Sequence, residues 1–255
     1  MEMATYAKYE PQLQIVSDAD DLAHHCLELF RNAVISSVQR RGLCRVAISG
    51  GNSPRHFFEF LGDMEESKEL PWDKVHLFWV DERYVDENSP YSNFKLAKDT
   101  FLQKVNIPLE NIHPIPTESP DAITAARMYE KTIRKDFHIE AGRFPQFDLI
   151  VLGMGPDGHT GSLFSDSYAC FCTDDIVSVV YALDEKLNRV TLTGPVLTAA
   201  KKIVVLVTGK DKSEILRDVL TSEPDQVRFP IHLLWPVLDK VTWLVDKDAA
   251  ILLKK

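Results

Sequence analysis

Five short apolar runs, Val46–Ile48, Val75–Val80, Leu149–Leu152, Ile203–Val207 and Val241–Val245, constrain this chain more than anything else in it. Each is too short for a helix, and each ends at a glycine or a charged group: Ser49-Gly50-Gly51, Asp81-Glu82-Arg83, Gly153, Thr208-Gly209 and Asp246. A strand with one wet face alternates apolar and polar residues, whereas a near-continuous apolar strand is covered on both faces. Between the runs the period changes to that of a helix. Leu22, Cys26, Leu29, Phe30, Ala33, Val34 and Val38 form a stripe over 19–38, and Gly42 ends it. Pro54 opens a second helix carrying Phe57, Phe58, Phe60 and Leu61. Ser92 caps a helix to about Val105, and Ser119-Pro120-Asp121 opens one with Ala122, Ala126, Tyr129 and Ile133 on one face. Further helices follow Gly194-Pro195, run from Lys210 through Leu220, and close the chain over Ala249–Leu253. Ile112–Ile115, Ile176–Tyr181 and Arg189–Thr193 read as additional strands. The alternation predicts an α/β fold, a doubly wound, mostly parallel and Rossmann-like sheet with helices on both faces. No linker interrupts it, so residues 1–255 are expected to form one domain, with a small subdomain around 165–195.

The net charge of −9 argues against non-specific binding to nucleic acid or to a membrane surface. An anionic ligand would therefore need a local cluster of bases. No apolar run approaches the ~18 residues of a membrane span, and the polar start Met1–Glu10 has no apolar signal core. Cys26 and Cys44 fall within apolar patterns, and Cys170-Phe171-Cys172 lacks metal-ligand spacing. These read as reduced thiols of a cytoplasmic protein.

The chemistry concentrates at residues 148–164, Asp-Leu-Ile-Val-Leu-Gly-Met-Gly-Pro-Asp-Gly-His-Thr-Gly-Ser-Leu-Phe. An apolar strand breaks into a loop holding four glycines between 153 and 161, with Asp157 and His159 inside it. Ligands bind at the carboxyl ends of strands in open α/β sheets. Glycines let backbone N–H groups approach a ligand, and a histidine beside a carboxylate can take a proton near neutral pH. The plain alternative is a satisfied structural histidine. The Ser49–Pro54 turn could serve an anion through its N–H groups and the Ser49 and Ser53 hydroxyls, or could be an ordinary tight turn. Asp81-Glu82-Arg83 either marks where a strand meets water or turns Arg83 towards an anion. Arg189 and Lys212 are solvated bases or the missing positive charge. His24, His25, His56, His76, His113, His138 and His232 lack a glycine loop or a spaced partner and read as structural or surface groups. No metal site is expected.

Four segments taken together resemble one family: Ser-Gly-Gly-Asn-Ser-Pro at 49–54, Asp-Glu-Arg at 81–83 with Ser92-Asn93, the run 152–164, and Arg-Val-Thr-Leu-Thr at 189–193 with Thr-Gly-x-x-Lys at 208–212. They are similar to the 6-phosphogluconolactonases, within the group that includes glucosamine-6-phosphate isomerase/deaminase, over about residues 14–253. The resemblance implies hydrolysis of 6-phospho-D-glucono-1,5-lactone, no cofactor, and no partner beyond that phosphorylated sugar lactone, in a monomer or weak homodimer. It makes His159 the base and Asp157 its supporting acid. Ser49, Gly50, Gly51, Asn52, Ser53, Arg83, Gly155, Arg189 and Lys212 would line the sugar-phosphate site, with loop N–H groups around Gly153–Gly158 for the oxyanion.

The sequence departs from the family pattern at Asn52-Ser53-Pro54, where Ser-Thr-Pro is usual, and at Ser165, where Leu-Phe is usually followed by proline. Asp184–Asn188 stands in place of a Lys-Pro-Pro-like run, and Lys186 is given no role. A deaminating isomerase would place a glutamate five residues after the histidine; here that residue is Phe164. A non-catalytic sugar-phosphate sensor would be expected to lack His159 or Asp157.

Overall fold

The computed structural model describes residues 10–181 and 187–253. The polar start over 1–9 and Lys186 lie outside the described residues. The elements run β1 (Gln12–Val16), α1 (Ala19–Arg41), β2 (Cys44–Ile48), α2 (Asn52–Leu61), α3 (Met64–Ser67), β3 (Val75–Trp79), β4 (Asp81–Arg83), α4 (Asn93–Ala97) and β5 (Ile112–His113). They continue with α5 (Ala122–Phe137), β6 (Leu149–Gly153), β7 (Val177–Val180), β8 (Arg189–Leu192), α6 (Gly194–Ala199), β9 (Ile203–Val207), α7 (Ser213–Thr221) and β10 (Val241–Asp246).

Seven strands form one parallel sheet in the order β1-β10-β9-β6-β2-β3-β5. Val46, Ala47 and Ile48 are all fully buried although successive side chains point to opposite faces, so both faces are covered, as the apolar runs require. From β2 the chain moves outward through β3 to β5; from β6 it moves the other way, through β9 to β10. The reversal lies between β2 and β6, and such a switch point leaves a crevice at the strands' carboxyl ends. Each Leu, Ile or Phe buried in this core contributes roughly 1.5–3 kcal/mol.

Local signals account for the helix ends. The Asp18 carboxylate accepts the Asp21 N–H at 2.9 Å at the start of α1, and Gly42, at φ 79°, donates to the Val38 carbonyl at its end. Ser92 caps α4 by accepting the Lys95 N–H at 3.0 Å. The helix expected to reach Val105 instead becomes a π-turn over Lys98–Leu102. The closing segment is a 3-10 turn over Ala249–Leu252, and a 3-10 stretch over Pro230–Lys240 precedes β10. β1 escapes sequence reading because it is an edge strand with only Val16 buried.

Asp81-Glu82-Arg83 is a strand and not an exit to water. It pairs antiparallel with β8, and β8 pairs with β7, making a second, three-stranded sheet. Val80 is the junction: its N–H donates to the Ile48 carbonyl at 2.9 Å, and its own carbonyl accepts the Leu192 N–H at 2.7 Å. This second sheet draws β4 from far upstream of β7 and β8.

Candidate active site

An open cleft of about 210 Å³ lies at the carboxyl ends of the central strands. The turn after β2 supplies Ser49, Gly50, Gly51, Asn52 and Ser53; β4 supplies Arg83; the loop after β6 supplies Gly155 and His159. Arg189 enters from β8, and Lys212 from the turn after β9. Every residue expected at the sugar-phosphate site lines this cleft together with His159, whereas Asp157 does not line it and contacts His159.

Asp157 accepts a hydrogen bond from the His159 backbone N–H at 3.2 Å and also holds the imidazole Nδ1. With Nδ1 engaged, Nε2 is the ring nitrogen left for a substrate or water. Partial burial pushes the Asp157 carboxyl up, but the hydrogen bonds and charge of His159 outweigh it and hold the carboxyl at about 2. The acid is therefore a carboxylate at any physiological pH. Gly155 is forced by this packing: a Cβ there would sit 2.0 Å from His159 Nδ1.

Two N–H groups expected to face an oxyanion are already committed. Gly155 donates to the His159 carbonyl at 2.8 Å, and Gly158 to the Gly155 carbonyl at 3.2 Å. They close the loop around the imidazole. By contrast, no described hydrogen bond engages the Gly50 and Gly51 N–H groups, which line the same cleft at the start of α2. Among the hydroxyls, Ser53 is occupied by Thr208 at 2.8 Å, whereas Ser49 Oγ is buried with no partner.

Three bases face the cleft. Arg83 donates to the Tyr91 carbonyl at 2.7 Å, and its Nε is buried with no partner. Arg189 Nη1 lies 3.4 Å from Ser162 Oγ and 3.9 Å from Asp81 Oδ2. Burial pulls its pKa down from the usual arginine range, against the attraction of Asp81. Burial also lowers Lys212, with Asp211 opposing it. These three positive charges share one cleft on a net acidic chain.

Several neighbours of these side chains were given no site role in the sequence. Ser162 is fully buried and donates to Asp81 Oδ2 at 2.6 Å. Asn93 donates to the Asp81 carbonyl at 2.9 Å and leaves its own Oδ1 buried and unpartnered. It presses on the turn after β2, where a Cβ on Gly50 would lie 2.0 Å from that Oδ1. The buried Glu82 carboxylate holds α4 in place, accepting from Asn93 N at 2.8 Å, Phe94 N at 2.7 Å and Ser92 Oγ at 3.0 Å. Phe164 is sandwiched, its ring centroid 4.3 Å from that of His159 and 5.2 Å from the Arg189 guanidinium carbon. Their sequence signals were the segments Asp81-Glu82-Arg83, Ser92-Asn93 and 152–164; the pairing of β4 with β8 that gathers them has no local signature.

The family model described as glucosamine-6-phosphate isomerases/6-phosphogluconolactonase matches residues 17–243. A 6-phosphogluconolactonase of Synechocystis is 36% identical over 239 residues, spanning 94% of this chain and 97% of the relative. One from Nostoc is 32% identical, spanning 93% and 96%. The solved 6-phosphogluconolactonase of Trypanosoma cruzi is 26% identical and superposes with a TM-score of 0.85, spanning 97% of this chain and 98% of that one.

Proposed function

The chain belongs to the glucosamine-6-phosphate isomerase/6-phosphogluconolactonase family, and from that premise we infer that it hydrolyses 6-phospho-D-glucono-1,5-lactone to 6-phosphogluconate, the second step of the oxidative pentose phosphate pathway, through a water activated by His159. The observation that carries the mechanism is the imidazole on the cleft wall with Nδ1 held by Asp157. A lactone is an activated ester, so no covalent nucleophile is required. His159 Nε2 takes a proton from water as the water oxygen bonds to C1. The C1 carbonyl becomes an oxyanion. When the tetrahedral species collapses, the C1–O5 bond breaks and the imidazolium returns the proton to O5. General-base catalysis of this kind contributes about 10²–10⁴-fold.

The Gly50 and Gly51 N–H groups, Ser49 Oγ, Arg83, Arg189 and Lys212 hold the substrate's charged and hydroxylated parts. Binding energy from the phosphate, remote from C1, positions the reacting carbon. A deaminating reaction is disfavoured by Phe164. An aromatic ring packed between His159 and Arg189 offers no proton acceptor where a glutamate would have to act. The proposal also places the enzyme in the cytoplasm as a monomer or weak homodimer. Its four cysteines are unpaired, and no described helix is long and apolar enough to cross a membrane.

The decisive experiment generates the lactone in situ from glucose 6-phosphate and compares its decay with an enzyme-free blank, with glucosamine 6-phosphate as control. Accelerated lactone decay without ammonia release is expected. Ammonia from glucosamine 6-phosphate would move the chain to the deaminase branch, and silence in both assays would overturn the reading.

A further inference from the structure

At the opposite end of the sheet from the cleft, three side chains from three elements converge. His76 is the second residue of β3, His113 lies on the edge strand β5, and Asp136 is near the end of α5. Val80 and the cleft lie four residues up β3 from His76, roughly 13 Å away at strand rise. The atoms that meet are His76 Nδ1, His113 Nε2 and Asp136 Oδ1. His76 Nδ1 is 2.7 Å from Asp136 Oδ1, His113 Nε2 is 3.4 Å from His76 Nδ1, and His113 Nε2 is 3.8 Å from Asp136 Oδ1.

Protons alone satisfy this triangle poorly. A proton on His76 Nδ1 serves Asp136 and leaves the lone pair of His113 Nε2 facing a nitrogen with nothing to share. A proton on His113 Nε2 points at the same occupied Nδ1, and Asp136 is too far for a hydrogen bond from it. A single cation would satisfy all three atoms at once. Tetrahedral zinc with bonds of about 2.0–2.1 Å needs donor atoms roughly 3.3 Å apart, and the three observed edges bracket that value. Two imidazoles, one carboxylate and an open fourth position form an established zinc donor set.

The surroundings are built for fixed ligands. Phe78 stacks on His113 with ring centroids 4.4 Å apart, and His76 and His113 are themselves stacked at 5.6 Å. Arg45, directly across from His76 in the parallel register, binds the other carboxylate oxygen of Asp136 and its backbone carbonyl. That contact orients the ligand, as outer partners of metal ligands do, while its positive charge weakens the hold on a cation.

We propose that His76, His113 and Asp136 form a binding site for a zinc-type divalent cation that clamps the edge strand β5 and helix α5 to β3. The proposal is independent of the cleft and of the reaction assigned to it. His76 and His113, read in the sequence as structural or surface histidines, acquire this role only because the fold joins them to a carboxylate on a distant helix.

The test is isothermal titration of the chelator-stripped full chain with zinc chloride at neutral pH, with magnesium chloride as a hard-cation control. One zinc per chain and no magnesium binding are expected. H113Q and H76Q should each weaken zinc by roughly 100-fold while leaving lactone turnover in place, which also reports that the variants fold. Equal zinc affinity in H113Q and wild type overturns the site. So does zinc binding that survives in both variants and vanishes in H159N, which would put the ion in the cleft.

Discussion

His159 is placed by its neighbours more than by its own contacts. Gly155 leaves room for the ring, Phe164 covers one side, and Asp157 fixes Nδ1. His159→Ala should therefore lower lactone kcat by about 10²–10⁴-fold with little change in KM, measured against the spontaneous rate. Near-wild-type turnover in that variant would end the base assignment. The three bases make a different forecast. Charge-assisted contacts are worth about 1.5–3 kcal/mol, so Arg189→Ala and Lys212→Ala should each lower kcat/KM for the phosphorylated lactone by roughly 10- to 100-fold, mostly through KM. Their effect on the unphosphorylated lactone should be small. An equal loss on both lactones would separate these residues from the phosphate.

Among the elements, the corner where β3, β5 and α5 meet carries a pH signature of its own. Burial pushes His113 from 6.5 down to about 4, with His76 and Arg45 adding to the effect and Asp136 opposing it. Between those two values the unfolded chain binds a proton that the folded chain refuses. Stability should therefore fall as pH drops from about 6.5 to about 4, by on the order of 3 kcal/mol for the full displacement. Asp136 works in a separate window. Burial opposes its ionisation, but His76 and Arg45 hold it at about 2, so its contribution persists above the ordinary carboxyl range and is lost only as pH falls through about 2. Urea unfolding from pH 7 to 4, in metal-free buffer, should show the decline in wild type and a flatter curve in His113→Gln. Parallel curves would assign the acid sensitivity to other groups.

For the whole molecule, the critical joint lies between the two sheets. Val80 is shared by both through its backbone, and Asp81, Ser162 and Arg189 continue the connection through side chains. Ser162→Ala removes the donor to a buried carboxylate and should cost about 1–3 kcal/mol in urea unfolding, with a higher KM as Arg189 loses its anchor. If stability and KM are both unchanged, the joint is made by backbone alone. This joint was also the least legible part of the chain. The parallel sheet showed in the sequence because each of its central strands is apolar on both faces, and the loop after β6 showed because its glycines, Asp157 and His159 are contiguous. β4 has three residues, two of them acidic, and its partner β8 lies more than a hundred residues away, so no local pattern could join them. Asn93, Ser162 and the committed amides of Gly155 and Gly158 followed from that pairing and from loop closure, which only coordinates reveal. The adjacency of β2 and β6 has a last consequence. Their loops leave neighbouring strands spaced about 4.8 Å apart, tied by main-chain bonds such as Ser49 N–H to the Val151 carbonyl at 2.9 Å. Under the proposed assignment, the sheet works as a ruler between the substrate-holding N–H groups of the turn after β2 and the activated water. Chain-length selectivity is then written into peptide geometry, and a phosphorylated lactone one carbon shorter should bind yet turn over poorly, because its carbonyl falls out of reach.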